Sequence, residues 1–127
     1  MKNTRGDNEM KLYHRDIYMP KLTLKDETIR IGYTVHAQDE AINDRYVDYI
    51  EMPSEINLSK VDIFEIGIIE GKIAKIVFRM EYNEEYDLCM VLMTHNLKIK
   101  TLWLNSVDDK HKTLNHDKYE KCPHFKL

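Results

Sequence analysis

The predicted fold rests on the stretch Val61-Asp-Ile-Phe-Glu-Ile-Gly-Ile-Ile-Glu-Gly-Lys-Ile-Ala-Lys-Ile-Val-Phe-Arg-Met-Glu-Tyr82. Apolar residues recur at every second position on both sides of Glu70-Gly71, which is typical of β-strands with one buried face. Glu70-Gly71 is itself a tight-turn signal. The stretch therefore predicts an antiparallel hairpin of two strands.

Two more strands follow this hairpin. Leu88 to Met93 is continuously apolar, as in a central strand that is covered on both sides. Ile99 to Leu104 is the last apolar run. Turn signals at residues 83–85 and 95–96 separate these runs from their neighbours. The sequence thus predicts a four-stranded antiparallel meander whose strands pair in sequential order.

One helix precedes the meander. Thr34 is a suitable N-cap, and Pro53 ends the helical pattern. Between them an apolar stripe recurs at three- and four-residue spacing, at Ala37, Ala41, Ile42, Tyr46, Tyr49 and Ile50. The alternation in residues 29–33 indicates a short strand or an extended lead-in. We therefore expect an α+β fold, in which one main N-terminal helix packs on one face of the four-stranded meander.

Length and composition predict one domain over residues 1–127, with residues 1–11 disordered and residues 120–127 a flexible tail. No apolar run approaches the roughly 18 residues needed to span a bilayer, and no signal region precedes the fold, so we expect no membrane contact. Cys89 lies in an apolar run and is expected to be a small buried hydrophobe. No disulfide framework is expected, and a reducing cytoplasm is the simplest compartment.

The net charge of −3 argues against a protein that coats nucleic acid by charge alone. The charge is uneven, because residues 110–127 hold five lysines and three of the six histidines. A locally basic end fits a phosphate-bearing substrate, and it also fits a flexible tail. With no Gly-rich phosphate loop and only four glycines, a nucleotide cofactor is not expected.

The densest set of chemically active side chains follows the last strand. His111, Lys112 and Thr113 are consecutive, and Tyr119 comes shortly after. RNA cleavage by attack of the 2′-OH needs a base, an acid and cations that stabilise charge on phosphorus, and it needs no metal. The alternative is a solvated turn, in which Thr113 caps its own turn and Tyr119 packs against the sheet edge.

Two candidates lie earlier in the chain. His36 is in the first helical turn, where the helix dipole disfavours the protonated imidazole, so it can act as a base. Otherwise it is a surface histidine beside a helix cap. Arg79 stands on the polar face of a strand and could hold a phosphate through two hydrogen bonds, or it could pair with Glu65 or Glu81.

A zinc site is a weaker alternative. The candidate ligands are His111, His116, Cys122 and His124, whose spacing could reach tetrahedral ligation. No Cys-x-x-Cys pair is present, and Pro123 separates two of the candidates. We therefore assign no metal ligand.

Two motifs carry a resemblance to a known group of proteins. His36-Ala-x-x-x-Ala-x-x-Asp-Arg-Tyr46 resembles the helix motif of small phage and toxin ribonucleases of the RelE, barnase, EndoU and colicin group. Thr101-Leu-Trp-Leu-Asn105, followed by Asp109-Lys-His-Lys-Thr-Leu114 and Lys118-Tyr119, is similar to the C-terminal signature of phage-borne members. The resemblance covers roughly residues 29 to 121.

The resemblance implies a metal-independent, phage-encoded or toxin-like endoribonuclease that acts on RNA. His36 would match the helix histidine, Arg79 the phosphate-holding residue, and His111, Thr113 and Tyr119 the terminal motif. Lys112 would add charge stabilisation. The alternative function is a non-catalytic phage-type module that binds and inhibits a host protein through an acidic helix face, formed by Asp39, Glu40, Asp44 and Asp48. An antitoxin is a further expected class of partner.

Overall fold

The computed structural model describes residues 9–109 and 116–121. This part of the chain contains one α-helix, α1 (Val35–Ile42), and a short 3₁₀ turn at His116–Lys118. It also contains eight strands: β1 (Lys11–His14), β2 (Ile29–Arg30), β3 (Gly32–Tyr33), β4 (Glu55–Ile56), β5 (Asp62–Ile69), β6 (Lys72–Glu81), β7 (Tyr86–Met93) and β8 (Lys98–Ser106).

The predicted four-stranded antiparallel meander is wrong, because the main sheet has six strands and is mixed. Its order is β1-β5-β6-β7-β8-β3, and β3 runs parallel to β8. Strands β2 and β4 form a separate antiparallel pair. The two flanking strands of the main sheet have four and two residues and pair with strands that are distant in the chain, so local periodicity does not reveal their place in the sheet. The short strand indicated in residues 29–33 is present as β2 and β3.

The hairpin of β5 and β6 turns at Glu70 and Gly71, as predicted. Glu70 has a φ of 52° and Gly71 a φ of 79°, so both residues lie in the left-handed region. Two consecutive left-handed residues match the right-handed twist of the strands that a two-residue turn joins. Gly71 takes this conformation without steric cost because it has no Cβ.

The two faces of the sheet carry hydrophobic clusters of different size. The core face carries the main hydrophobic cluster, whose fully buried members include Tyr13, Ile66, Phe78, Met90 and Leu92. Ala37 and Ala41 of α1 belong to the same cluster, so the helix lies on this side of the sheet. The second face carries a smaller cluster of Phe64, Val77 and Val91, with Met93 and Trp103 packed against it.

Helix α1 begins where the sequence predicts and ends early. The Thr34 hydroxyl accepts a hydrogen bond from Ala37 N at 3.1 Å, which confirms Thr34 as the N-cap. The helix ends at Ile42, so its predicted extension to Pro53 is wrong. Ile42, Tyr46 and Tyr49 of the predicted stripe are exposed, at 57%, 45% and 49%, whereas Ile50 is fully buried in the core.

Side-chain hydrogen bonds explain the early end. The amide of Asn43 donates to the Asp39 carbonyl at 2.9 Å. The Asp44 carboxylate accepts from the backbone N–H groups of Tyr46 and Val47, at 2.7 and 3.1 Å. Such local bonds give the backbone an alternative to the helical pattern, which is why Asn and Asp favour turns over helix interiors.

Cys89 is buried in β7, as predicted, and burial raises the pKa of its thiol to about 12. Within residues 9–109 and 116–121, no helix has the length and apolar character needed to cross a membrane.

The inequality of the two faces can be tested with two methionines of strand β7. Met90 is fully buried on the core face, whereas Met93 is only partly buried on the second face. We expect Met90→Ala to lower the free energy of unfolding by about 2–5 kcal/mol, because it leaves a cavity in the core. Met93→Ala should cost clearly less in the same urea titration, and equal losses would contradict the assignment of the core.

Candidate functional site

A groove runs between helix α1 and the outer edge of strand β8. Its volume is about 540 Å³. The helix side is formed by acidic and polar residues, and the strand side by the end of β8. The lining includes His36, Asp39, Glu40, Asp44, Arg45, Tyr46, Leu102, Trp103, Leu104 and Asn105. We call it the α1–β8 groove.

Glu40 joins helix α1, on one side of this groove, to strand β8 on the other. One of its carboxylate oxygens accepts from the Thr101 hydroxyl at 2.6 Å and from the backbone N–H of Leu102 at 3.0 Å. At the start of the helix, the Thr34 hydroxyl also donates to the Lys100 carbonyl at 3.0 Å. The helix is therefore held along the strand by hydrogen bonds as well as by packing.

The outer edge of β8 is only partly paired. Strand β3 covers it at Lys98 and Ile99 and then ends. Among the described residues, no strand pairs with this edge beyond Ile99. Because the N–H of Leu102 points outward to Glu40, the alternation of the strand turns the backbone of Leu104 the same way. Leu102 and Leu104 are only 1% and 4% exposed, so these outward-facing main-chain groups are largely covered.

The helix side of the groove is negative. Of the lining residues that the structure describes, Asp39, Glu40 and Asp44 contribute carboxylates and Arg45 contributes a guanidinium. That guanidinium lies 4.8 Å from the centre of the Tyr46 ring, a cation–π contact. The predicted acidic helix face therefore lines the groove through three of its four members, and the fourth, Asp48, is exposed further along the chain.

His36 lies in this groove with its side chain 70% exposed. Its Nε2 is 3.4 Å from the second carboxylate oxygen of Glu40, one helical turn away. The spacing of four residues could have identified this pair from the sequence, because such residues lie on one helix face. The sequence reasoning missed it and missed Arg45 and Tyr46 as groove residues.

Arg79 and His36 lie on opposite sides of the sheet, so the structure does not bring them into one site. Arg79 stands on β6 on the second face, whereas α1 lies on the core side of the sheet beside β8. Arg79 Nε donates to Asp87 at 2.9 Å, and its Nη atoms donate to the carbonyls of Ser106 and Asp109 at 3.3 and 3.5 Å. Its ion-pair partner is Asp87 rather than the predicted Glu65 or Glu81. The guanidinium ties β6 to β7 and to the end of β8.

Tyr119 lies at the opposite edge of the sheet, where it forms a parallel bridge with Leu12. Its hydroxyl donates to the buried carboxylate of Glu65 at 2.5 Å, and Lys75 Nζ lies 3.0 Å from the other oxygen of that carboxylate. Burial and the Glu65 hydrogen bond raise the pKa of the Tyr119 phenol. This tyrosine anchors the segment at residues 116–121 to strands β1 and β5.

The described candidates are thus spread across the sheet, with His36 beside β8, Arg79 on β6 and Tyr119 beyond β1. His111, Lys112 and Thr113 lie outside the described residues. So do Cys122 and His124 of the alternative zinc set.

Comparison with known protein families, curated proteins and solved structures finds no match to this chain. Its function is therefore argued from the groove itself.

The role of Tyr119 predicts a pH dependence of stability. An unfolded tyrosine ionises near pH 10, and the raised pKa keeps folded Tyr119 protonated there. Above about pH 10 the unfolded state binds fewer protons, so stability falls as pH rises toward the folded pKa. Between about pH 9 and pH 11, the wild type should lose up to about 1 kcal/mol more unfolding free energy than Tyr119→Phe.

Tyr33, whose pKa is also raised by burial, is present in both proteins, so the difference isolates Tyr119. Identical pH profiles in urea unfolding would contradict the assignment.

Proposed function

We propose that this chain is a non-catalytic binding module that holds a partner protein in the α1–β8 groove. The observation that carries the proposal is the acidic lining of the groove, in which Asp39, Glu40 and Asp44 lie beside the end of β8. Fixed charges of one sign in a groove can recognise a polypeptide of opposite charge without any chemical step.

Exposed apolar side chains on and beside the helix support the same function. Val35 is 74% exposed and Ile42 57% exposed, and Tyr46, at 45% exposure, lines the groove. The Tyr46 ring stacks on Tyr86 with ring centres 4.9 Å apart, so it is held in place. Exposed apolar residues together with an ordered aromatic are typical of protein interfaces.

The charge of the groove favours a protein over a nucleic acid as the partner. RNA carries a negative charge on every phosphate, and binding requires cations that replace its counterions. Among the described residues, the groove offers Arg45 against three carboxylates, so the phosphate backbone would be repelled. A host protein or an antitoxin with a basic surface fits the same groove.

This function can be tested by affinity capture from a lysate of the source cells. Asp39→Lys combined with Asp44→Asn changes the groove charge by three units, and the amide oxygen introduced at position 44 can still accept the bonds that shape the turn. We expect the wild type to retain a partner that this variant loses by at least about tenfold, because charge complementarity is removed.

The matched control is Glu70→Lys with Glu84→Gln. These two residues are exposed in hairpin turns away from the groove, and the change in charge is the same. The control should capture as much partner as the wild type. Capture that is insensitive to the groove variant, or equally lost in the control, would contradict the proposed site.

One observation favours a second function, metal-independent RNA cleavage. The Glu40 carboxylate lies 3.4 Å from His36 Nε2, and a carboxylate that orients an imidazole is a common arrangement for a general base. Arg45, in the same groove, would then stabilise the phosphorane-like charge in the role that the sequence assigned to Arg79. The acid would come from the candidates that follow β8 in the chain, at residues 111–113.

Incubation with mixed single-stranded RNA in EDTA tests this second function. Cleavage that leaves 2′,3′-cyclic phosphate ends should fall by at least about 100-fold in His36→Ala, because a general base is lost. His95→Ala, which removes an exposed histidine in the turn between β7 and β8, is the matched control. The absence of cleavage by the wild type, or equal cleavage by His36→Ala, would eliminate the nuclease function.

A further inference from the structure

We infer that the partner protein docks a cationic amphipathic helix on an exposed ridge of α1 that borders the α1–β8 groove. The ridge is formed by Val35, Asp39 and Ile42. The inference rests on the proposed function and names the secondary structure and the side-chain pattern of the partner segment. It follows from the exposure of the ridge, its charge and the spacing of its residues along the helix axis.

The ridge is one continuous face of the helix. At the helical repeat, residues 35, 39 and 42 lie within about 60° of one another on the helix surface. Val35 is 74% exposed and Ile42 57% exposed, and Asp39 between them is also exposed. Two large apolar side chains thus stand in water on one face of a short helix, beside a groove. Such a patch is the kind of surface that a protein partner covers.

Asp39 decides which partner can cover the ridge. It lies near the middle of the ridge, and it also lines the α1–β8 groove. Among the described residues, no hydrogen bond or ion pair engages its carboxylate. Covering this carboxylate with apolar surface alone costs free energy, whereas a cation placed opposite it forms a charge-assisted hydrogen bond. The docked surface must therefore hold a Lys or Arg between apolar residues.

The spacing of the ridge favours a helix over an extended strand as the docked segment. Residues 35 and 42 are about 10.5 Å apart along the helix axis, and a partner helix repeats side chains seven positions apart at the same interval. On one face of an extended strand, two apolar residues that flank a cation are about 13 Å apart. Strand β8 also offers no template for a strand, since Leu102 and Leu104 are 1% and 4% exposed.

The side-chain pattern of the partner helix follows from the same spacing. Two apolar residues seven positions apart would lie opposite Val35 and Ile42. The cation opposite Asp39 would follow the first of them by four positions in parallel packing, or by three in antiparallel packing. A specific complex buries about 1,200 Å² or more, so the helix must also extend over the groove. There Glu40 and Asp44 add negative charge, which again favours a cationic segment.

Charge selects against the other occupants of the ridge. If a second copy packed its own ridge on this one, Asp39 would face Asp39 in either direction, and like charges at an interface are unfavourable. RNA would bring its phosphates to the carboxylates of Asp39, Glu40 and Asp44. A cationic amphipathic helix covers the apolar residues and pairs with Asp39 at the same time, so it is the occupant that the ridge favours.

The test uses a synthetic peptide with the central sequence Leu-Ala-Ala-Arg-Arg-Ala-Ala-Leu, extended with Ala and Gln to about 16 residues so that it forms a helix. The paired arginines place a cation opposite Asp39 whichever way the helix runs. An isomer with the centre Leu-Ala-Arg-Ala-Ala-Arg-Ala-Leu has the same composition but carries its arginines on the opposite helix face. In NMR titrations of isotope-labelled protein, the parent should shift the amide signals of residues 35–42. The isomer should bind at least about fivefold more weakly.

Variants of the protein test each part of the ridge. Ile42→Ser should weaken the parent peptide at least about fivefold, because it removes apolar contact area at a residue outside the groove lining. Leu97→Ser, which changes an exposed apolar residue in the turn between β7 and β8, is the matched control and should bind like the wild type. Asp39→Arg should weaken the parent at least about tenfold and bind a peptide with two glutamates in place of the arginines. Glu70→Arg, in the turn between β5 and β6, should keep the preference for the parent.

Equal binding of the parent and its isomer, or unchanged binding of the parent by Ile42→Ser, would overturn the inference. The proposed function is tested separately, by lysate capture with the groove variant, so it stands if only the ridge fails. An RNA heptamer that shifts the same amide signals would overturn the cationic helix as the occupant. So would a dimer in sedimentation velocity that Ile42→Ser abolishes, since the occupant would then be a second copy.

Discussion

The Glu40 carboxylate is the contact on which the arrangement of helix and sheet depends. A single oxygen accepts from both the Thr101 hydroxyl and the Leu102 N–H. Strand β3 ends before it can cover Leu102, so without Glu40 this main-chain donor would lose its partner, which costs on the order of 1–3 kcal/mol for a buried group. The carboxylate therefore replaces a neighbouring strand as the hydrogen-bond partner of Leu102, and the α1–β8 groove lies beside this residue.

The polar residues on the second face serve a different purpose. Arg79 joins Asp87 to the carbonyls at the end of β8, and Glu65 joins Lys75 to Tyr119. These contacts tie neighbouring strands, and the segment after β8, into one sheet. Arg79, Glu65 and Tyr119, which look chemically active in the sequence, therefore hold the fold together, whereas the groove is lined by acidic and polar residues of α1 and the turn after it, and by the end of β8.

The periodicity of the sequence located the four central strands, the Glu70-Gly71 turn and the Thr34 cap, because each depends on residues that are near one another in the chain. It did not locate β1, and in residues 29–33 it indicated a short strand without its partner, because strands of four and two residues take their place in a sheet through distant pairing. The end of α1 was missed because the Asp44 side chain competes for backbone N–H groups, which an apolar stripe does not reveal. The acidic helix face was visible in the sequence, but the groove beside it depends on where β3 ends.

The most direct test of the groove as the binding site is the amide chemical shifts of groove residues, measured by NMR with and without a lysine-rich peptide. A bound cationic segment would shift the amide signals of Glu40 and Asn105, which line the groove, while the Val91 amide in the interior of the sheet would serve as the internal reference. Shifted groove signals with an unchanged reference are the result expected here. Unchanged groove signals under saturating peptide would show that the groove takes no cationic segment.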